Sequence, residues 1–103
     1  MIQIIRITFN DDKDASMGIE IMVCSGINVA KEIILGEINK GFDGDWKTLS
    51  DAASELCEEI YHCEYDENNM SFSWEDNCKG ETYKICDINM REVNTKFQWV
   101  TEI

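Results

Sequence analysis

The sequence predicts an α+β fold: two helices packed on one face of a mostly antiparallel sheet of about five strands, in the order ββααβββ. Three observations carry this expectation. Apolar residues recur at helical spacing in two central stretches, and they alternate at period two before and after them. The second faces of the alternating stretches are largely polar, which leaves the far side of the sheet partly wet.

Ile2–Phe9 reads as the first strand, with Ile5, Ile7 and Phe9 alternating with Arg6 and Thr8. Ile2 and Ile4 lie on its second face, so this strand is expected to be central and covered on both sides at its start. Asn10–Gly18 is a polar loop, and Gly18–Cys24 is a second strand that closes a hairpin with the first. Asn28 then caps a helix to about Lys40, with Gly41 as its left-handed stop. Val29, Ala30, Ile33, Ile34, Leu35 and Ile38 cover well over half its circumference, so the helix is expected to be mostly buried. Gly36 inside it costs about 1 kcal/mol relative to Ala, which suggests close packing against a neighbour.

The organising stretch is Thr48–Tyr65. Leu49, Ala52, Ala53, Leu56, Ile60 and Cys63 form one apolar helical stripe, and Thr48 with Asp51 reads as an N-cap with its reciprocal partner. After a turn at 66–69, Met70–Glu75 alternates strictly, with Met70, Phe72 and Trp74 on one side. A hairpin turn at 77–80 leads to a strand at Thr82–Met90, whose apolar phase shifts between Ile85 and Ile88 and suggests a bulge. Thr95–Ile103 is the expected last strand, with Phe97 and Trp99 on one face. Phe72, Trp74, Phe97 and Trp99 are expected to face the helices and join the core.

A chain of 103 residues without Pro-rich or Gly/Ser-rich stretches is expected to form one domain, 1–103, able to bury a core without disulfides or metals. Cys24, Cys57, Cys63, Cys78 and Cys86 are odd in number and show no close paired spacing. Reduced thiols in a cytoplasm account for them most simply. The N-terminus lacks the basic leader of a signal peptide, and no run of 18 apolar residues could span a bilayer.

Net charge is the extreme value, −12. It disfavours direct binding to nucleic acid or to an anionic membrane and favours a basic protein partner. The charge is also local. Residues 42–77 carry eleven acids against Lys47 alone, whereas the flanking stretches are nearly balanced. On the expected helix, Asp51, Glu55, Glu58, Glu59, His62 and Asp66 fall opposite the apolar stripe, with carboxylates about a turn apart. Over the ~27 Å of such a helix, five acids compare with about 16 charges on duplex DNA. The helix alone is a poor mimic of nucleic acid, and only with its flanking loops does the block become a plausible one. The competing account is a solvated, solubilising face, although such faces more often mix signs.

The candidate partner-binding residues are Asp43, Asp45, Trp46, Asp51, Glu55, Glu58, Glu59, Tyr61, His62, Glu64, Tyr65, Asp66 and Glu67. Trp46, Tyr61 and Tyr65 border the acids and would anchor an interface, being aromatic side chains ringed by charge. No metal site and no cofactor is expected. Glu58, His62 and Asp66 stack at i, i+4 and i+8, but only one Glu-x-x-His pair exists where a di-metal bundle needs two. The Asp-rich loops lack the central Gly and closing Glu of a calcium loop. Catalysis is not expected either, because His62 and Cys63 are helical neighbours that point about 100° apart.

These features favour a small non-enzymatic cytoplasmic protein that occludes the nucleic-acid site of a basic partner. DNA-mimic inhibitors of restriction or CRISPR effectors work in this manner. An immunity or antitoxin protein covering a basic toxin nuclease shares the same physics. A small-ligand-binding accessory domain, with the acids incidental, is the third possibility.

Overall fold

The period-two stretches pair into one five-stranded antiparallel sheet in a computed structural model that describes residues 1–10 and 16–87. Strands β1 (Ile2–Asn10) and β2 (Ser16–Cys24) form the first hairpin. Helices α1 (Ile27–Phe42) and α2 (Leu49–Leu56) follow, then strands β3 (His62–Asp66), β4 (Ser71–Asp76) and β5 (Lys79–Asp87). The sheet order is β2-β1-β5-β4-β3, so β2 and β3 are its two edges. The ββααβββ order and the two-layer α+β architecture match the expectation from sequence.

Alternation decides which side of the sheet is dry. Ile4 lies opposite Ile85, and Phe72 lies opposite Tyr83 and Tyr65 in neighbouring strands, so these side chains share the helix-facing side. All are buried except Tyr65, which is half-buried. Against them α1 sets Ala30, Ile34 and Ile38, and α2 sets Leu49, Ala52, Ala53 and Leu56. Phe72, Ile34, Ile38 and Leu56 are the largest fully enclosed side chains, each stabilising the fold by about 1.5–3 kcal/mol through removal from water.

Helix α2 begins where its cap predicts. The Thr48 hydroxyl accepts from the Asp51 backbone N–H at 3.0 Å. Replacing Thr48 with Ala is expected to cost about 1 kcal/mol and to lower the melting temperature by roughly 4–8 °C, with Thr48→Asp restoring it. Thermal circular dichroism reads both.

The helix does not run to Tyr65. It ends at Leu56, passes through a loose turn at 57–60, and the chain re-enters the sheet as β3. Two effects stop it. Glu55, Glu58 and Glu59 would crowd like charges at i, i+3 and i+4, and they would sit at the negative end of the helix dipole. Cys63 and Tyr65 then satisfy a strand period as well as a helical one, and the hairpin turn at 67–70 offers β4 as partner. The fifth strand is therefore His62–Asp66; the expected strand at Thr95–Ile103 lies outside the described residues.

Smaller differences have equally local causes. Helix α1 starts after Gly26, without a side-chain cap, and runs past Gly41 to Phe42. Its left-handed stop is Asp43, at φ 54°, a conformation that Asp tolerates better than most residues. Gly36 packs against nothing: a side chain there would meet open space. Strand β5 keeps unbroken register with β1 from Lys79 to Asp87, so no bulge occurs within it, and Ile88 lies outside the described residues.

Candidate acidic interface

The shortened α2 divides the predicted acidic face into groups that wrap around the β3 edge. The first group stands on the helix side. Asp45, Trp46, Asp51 and Glu55 line one shallow groove where the α1–α2 loop meets α2. Trp46 is fixed there by a two-way clamp: its backbone N–H donates to Asn39 Oδ1 at 2.9 Å, and Asn39 Nδ2 donates to its carbonyl at 3.0 Å. Its indole N–H donates to Glu55 Oε2 at 2.6 Å. Gly44 is required beside it, because any side chain at 44 would run into the indole. Asp43 is exposed at the end of α1.

The second group is the turn joining α2 to β3. Glu58, Glu59 and Tyr61 are exposed, and Tyr61 is the most open aromatic among the described residues at 78%. The third group lies on the open side of the β3–β4 hairpin. His62 stands opposite Glu75 and Glu64 opposite Ser73, while His62 Nε2 lies 3.6 Å from Glu64 Oε2. Asp66 accepts from the Asn69 backbone N–H and side-chain amide, at 3.0 and 2.7 Å, and these bonds hold its carboxyl below the usual range.

Two of the predicted residues are turned elsewhere. Glu67 pairs with Lys31 of α1 at 3.1 Å, and its carboxyl is lowered by Tyr65 and by Lys31. Tyr65 leans on Phe72 with ring centroids 6.5 Å apart, and burial, then Glu67, raises its hydroxyl. Tyr65 is thus a wall of the helix-side layer and not an exposed anchor. The stacked Glu58–His62–Asp66 set cannot form, since His62 and Asp66 are on a strand and Glu58 is in the preceding turn.

Within 42–77 the ion pairs are few. Lys31–Glu67 and Lys47–Asp45 are the only ones between lysine or arginine and a carboxylate among the described residues, so Asp43, Asp51, Glu55, Glu58 and Glu59 have no such partner there. Three acids outside the block share one cation. Arg6 lies 2.5 Å from Glu81, 3.8 Å from Glu37 and 3.9 Å from Glu20, and Glu81 also accepts from Trp74 and Tyr83. This hub between sheet and α1 had no signal in the sequence beyond a lone Arg in an apolar strand.

Cys63 is buried, and burial, with a smaller contribution from Cys57, pushes its thiol up to about 12, which keeps it protonated and unreactive. Among the described residues no group of three His, Cys, Asp or Glu side chains is placed to hold a metal ion, and no helix is long and apolar enough to cross a membrane. The chain matches no protein-family model, no curated protein and no solved structure.

Proposed function

We propose that this protein binds a basic, nucleic-acid-processing protein through the acidic band around its β3 edge and occludes that partner's nucleic-acid site. The supporting observation is the segregation of uncompensated charge. Residues 42–77 carry eleven acids and one lysine, and Asp43, Asp51, Glu55, Glu58 and Glu59 have no ionic partner among the described residues, whereas Glu20, Glu37 and Glu81 share Arg6. A band of this kind steers a cationic partner at long range and makes association fast and salt-sensitive. Tyr61 supplies an exposed aromatic between the α2 groove and the open face of β3, where an interface would need its anchor.

The test uses the exposed turn, because Glu55 also holds the Trp46 indole. The intact protein is used to capture partners from a lysate of its source, with washes at low salt and at about 0.5 M, where the Debye length falls to a few ångströms. A basic nucleic-acid enzyme retained at low salt, released at high salt and inhibited in its own assay is the expected result. The variant Glu58→Lys/Glu59→Lys should bind that enzyme at least tenfold more weakly with an unchanged circular dichroism spectrum. A double variant that binds and inhibits as the parent does would show that the acids are only a solvated surface.

A further inference from the structure

Helix α1 packs over β1 and β5, and strand β2 extends the sheet beyond them, so the two layers part along a cleft between α1 and β2. Its volume is about 390 Å³. Ile4, Ile34 and Tyr83, all buried, form the floor. Half-buried Ile33 of α1 and exposed Met22 of β2 form the walls. The lining is mainly apolar, and its charged groups gather at one place, which is the make-up of a small-molecule site.

Those groups are set from both layers. Arg6 stands between Glu20 and Tyr83 of the neighbouring strands, on the helix side of the sheet. Glu37 approaches from α1, one turn beyond Ile33. Arg6 is committed to Glu81, which its Nε and Nη2 reach at 2.7 and 2.5 Å. Glu20 and Glu37 meet only Nη1, at 3.9 and 3.8 Å, longer than a hydrogen bond. Their side chains are 72% and 42% exposed, so they form the mouth of the cleft from opposite walls. Three carboxylates thus share one guanidinium, and two negative charges are left over; among the described residues lining the cleft, Arg6 is the one cation. Charge beside apolar walls acts through a lower dielectric than charge on an open surface, so the excess is felt strongly by a group seated there.

We propose that this cleft binds a small organic amine: an alkyl or arylalkyl ammonium whose hydrocarbon body lies between Ile33 and Met22 and whose ammonium pairs with Glu20 and Glu37. Both carboxylates already approach one nitrogen, so small rotations of two exposed side chains let a single ammonium take both. The apolar body covers Met22, an exposed wall that water solvates poorly. A carboxylate of the same shape is repelled by Glu20 and Glu37, and a neutral alcohol leaves their charge unanswered. An ammonium without the apolar body gains nothing from the walls. The cleft adjoins β2, at the opposite edge of the sheet from β3, so the site does not depend on the proposed partner of the acidic band.

The experiment is a titration of the isotope-labelled full chain, followed by NMR, with four probes: phenethylamine, phenethyl alcohol, phenylpropionate and methylamine. Phenethylamine is expected to give saturable shifts at the amides of residues 20–22 and 33–37, with an affinity at least tenfold above that of each other probe. Glu20→Gln/Glu37→Gln, at two exposed positions, should weaken it at least tenfold and bring it close to the alcohol. Glu58→Lys/Glu59→Lys should leave it within about threefold of the parent, because those acids are not part of the cleft. No saturable shift at these residues, or equal affinity for the amine and the alcohol, overturns the proposal. Loss of binding in Glu58→Lys/Glu59→Lys to the same extent as in Glu20→Gln/Glu37→Gln also overturns it, since the amine would then be held by the overall negative charge of the chain.

Discussion

Phe72→Ala is expected to destabilise the protein by about 3–5 kcal/mol, enough to lower its melting temperature by roughly 15–30 °C or to leave it unfolded. Phe72 is 1% exposed and occupies the middle of the helix-facing side, between Tyr65 of β3 and Tyr83 of β5. Opposite the sheet, α2 offers Ala52, Ala53 and Leu56, of which the alanines have no side-chain length with which to fill a void. The cavity would therefore stay open, and the loss should fall at the upper end for a core truncation. Small domains have about 5–15 kcal/mol of total stability, so a large fraction is at stake. The matched control is Ser73→Ala, one residue along on the open side, which should change stability by less than about 0.5 kcal/mol. Urea and thermal denaturation of both variants measure the contrast. A loss below about 1 kcal/mol for Phe72→Ala would mean that β4 does not present this face to the helices.

The alternation that places Phe72 was the most legible feature of the chain. Phe72 and Trp74 alternate with Ser71, Ser73 and Glu75 as a strand requires, and the strand runs from Ser71 to Asp76 with Met70 in the turn before it. Residues 57–65 were not legible in the same way, because Leu56, Ile60 and Cys63 satisfy a helical stripe while Cys63 and Tyr65 satisfy a strand face. Local periodicity cannot separate the two over so short a span. The deciding information is tertiary: a hairpin turn at 67–70, with Met70 at φ 51°, and an unpaired edge on β4. The pile of carboxylates after Leu56, at the wrong end of a helix dipole, was a signal of termination that the sequence did contain.

The candidate site followed the same division. Asp51 and Glu55, one turn apart on α2, line one groove, and Trp46 of the preceding loop joins them there. Its shape was not legible, because a straight helix would have given one face, whereas the turn into β3 bends the band around a sheet edge. The apolar open side of β1 and β2 was also hidden. Alternation assigns residues to two faces but does not say which face the helices cover, and here they cover Ile2 and Ile4 and leave Ile5, Ile7 and Phe9 half-exposed.

The Arg6–Glu81 hub should be the second most sensitive point. Glu81→Ala is expected to cost about 2–4 kcal/mol, less than the full penalty for breaking a buried pair because Arg6 keeps Glu20 and Glu37 nearby and is about a third exposed. The carboxylate takes four donors. Arg6 Nε at 2.7 Å and Arg6 Nη2 at 2.5 Å reach one oxygen together with the Tyr83 hydroxyl at 3.2 Å, and the Trp74 indole reaches the other at 3.0 Å. Removing it leaves a guanidinium, an indole N–H and a phenol without their acceptor, and it is these stranded donors, more than the lost attraction, that destabilise. The pair itself is expected to matter far less than either partner. Arg6→Met/Glu81→Leu removes the stranded guanidinium but still leaves the Trp74 indole and the Tyr83 hydroxyl without Glu81, so it should recover only part of the loss, and the cycle through Arg6→Met and Glu81→Leu should return a coupling of roughly 1–3 kcal/mol. Additive losses in that cycle would instead show that Glu81 acts through Trp74 and Tyr83, fixing the β4–β5 register, with Arg6 a bystander.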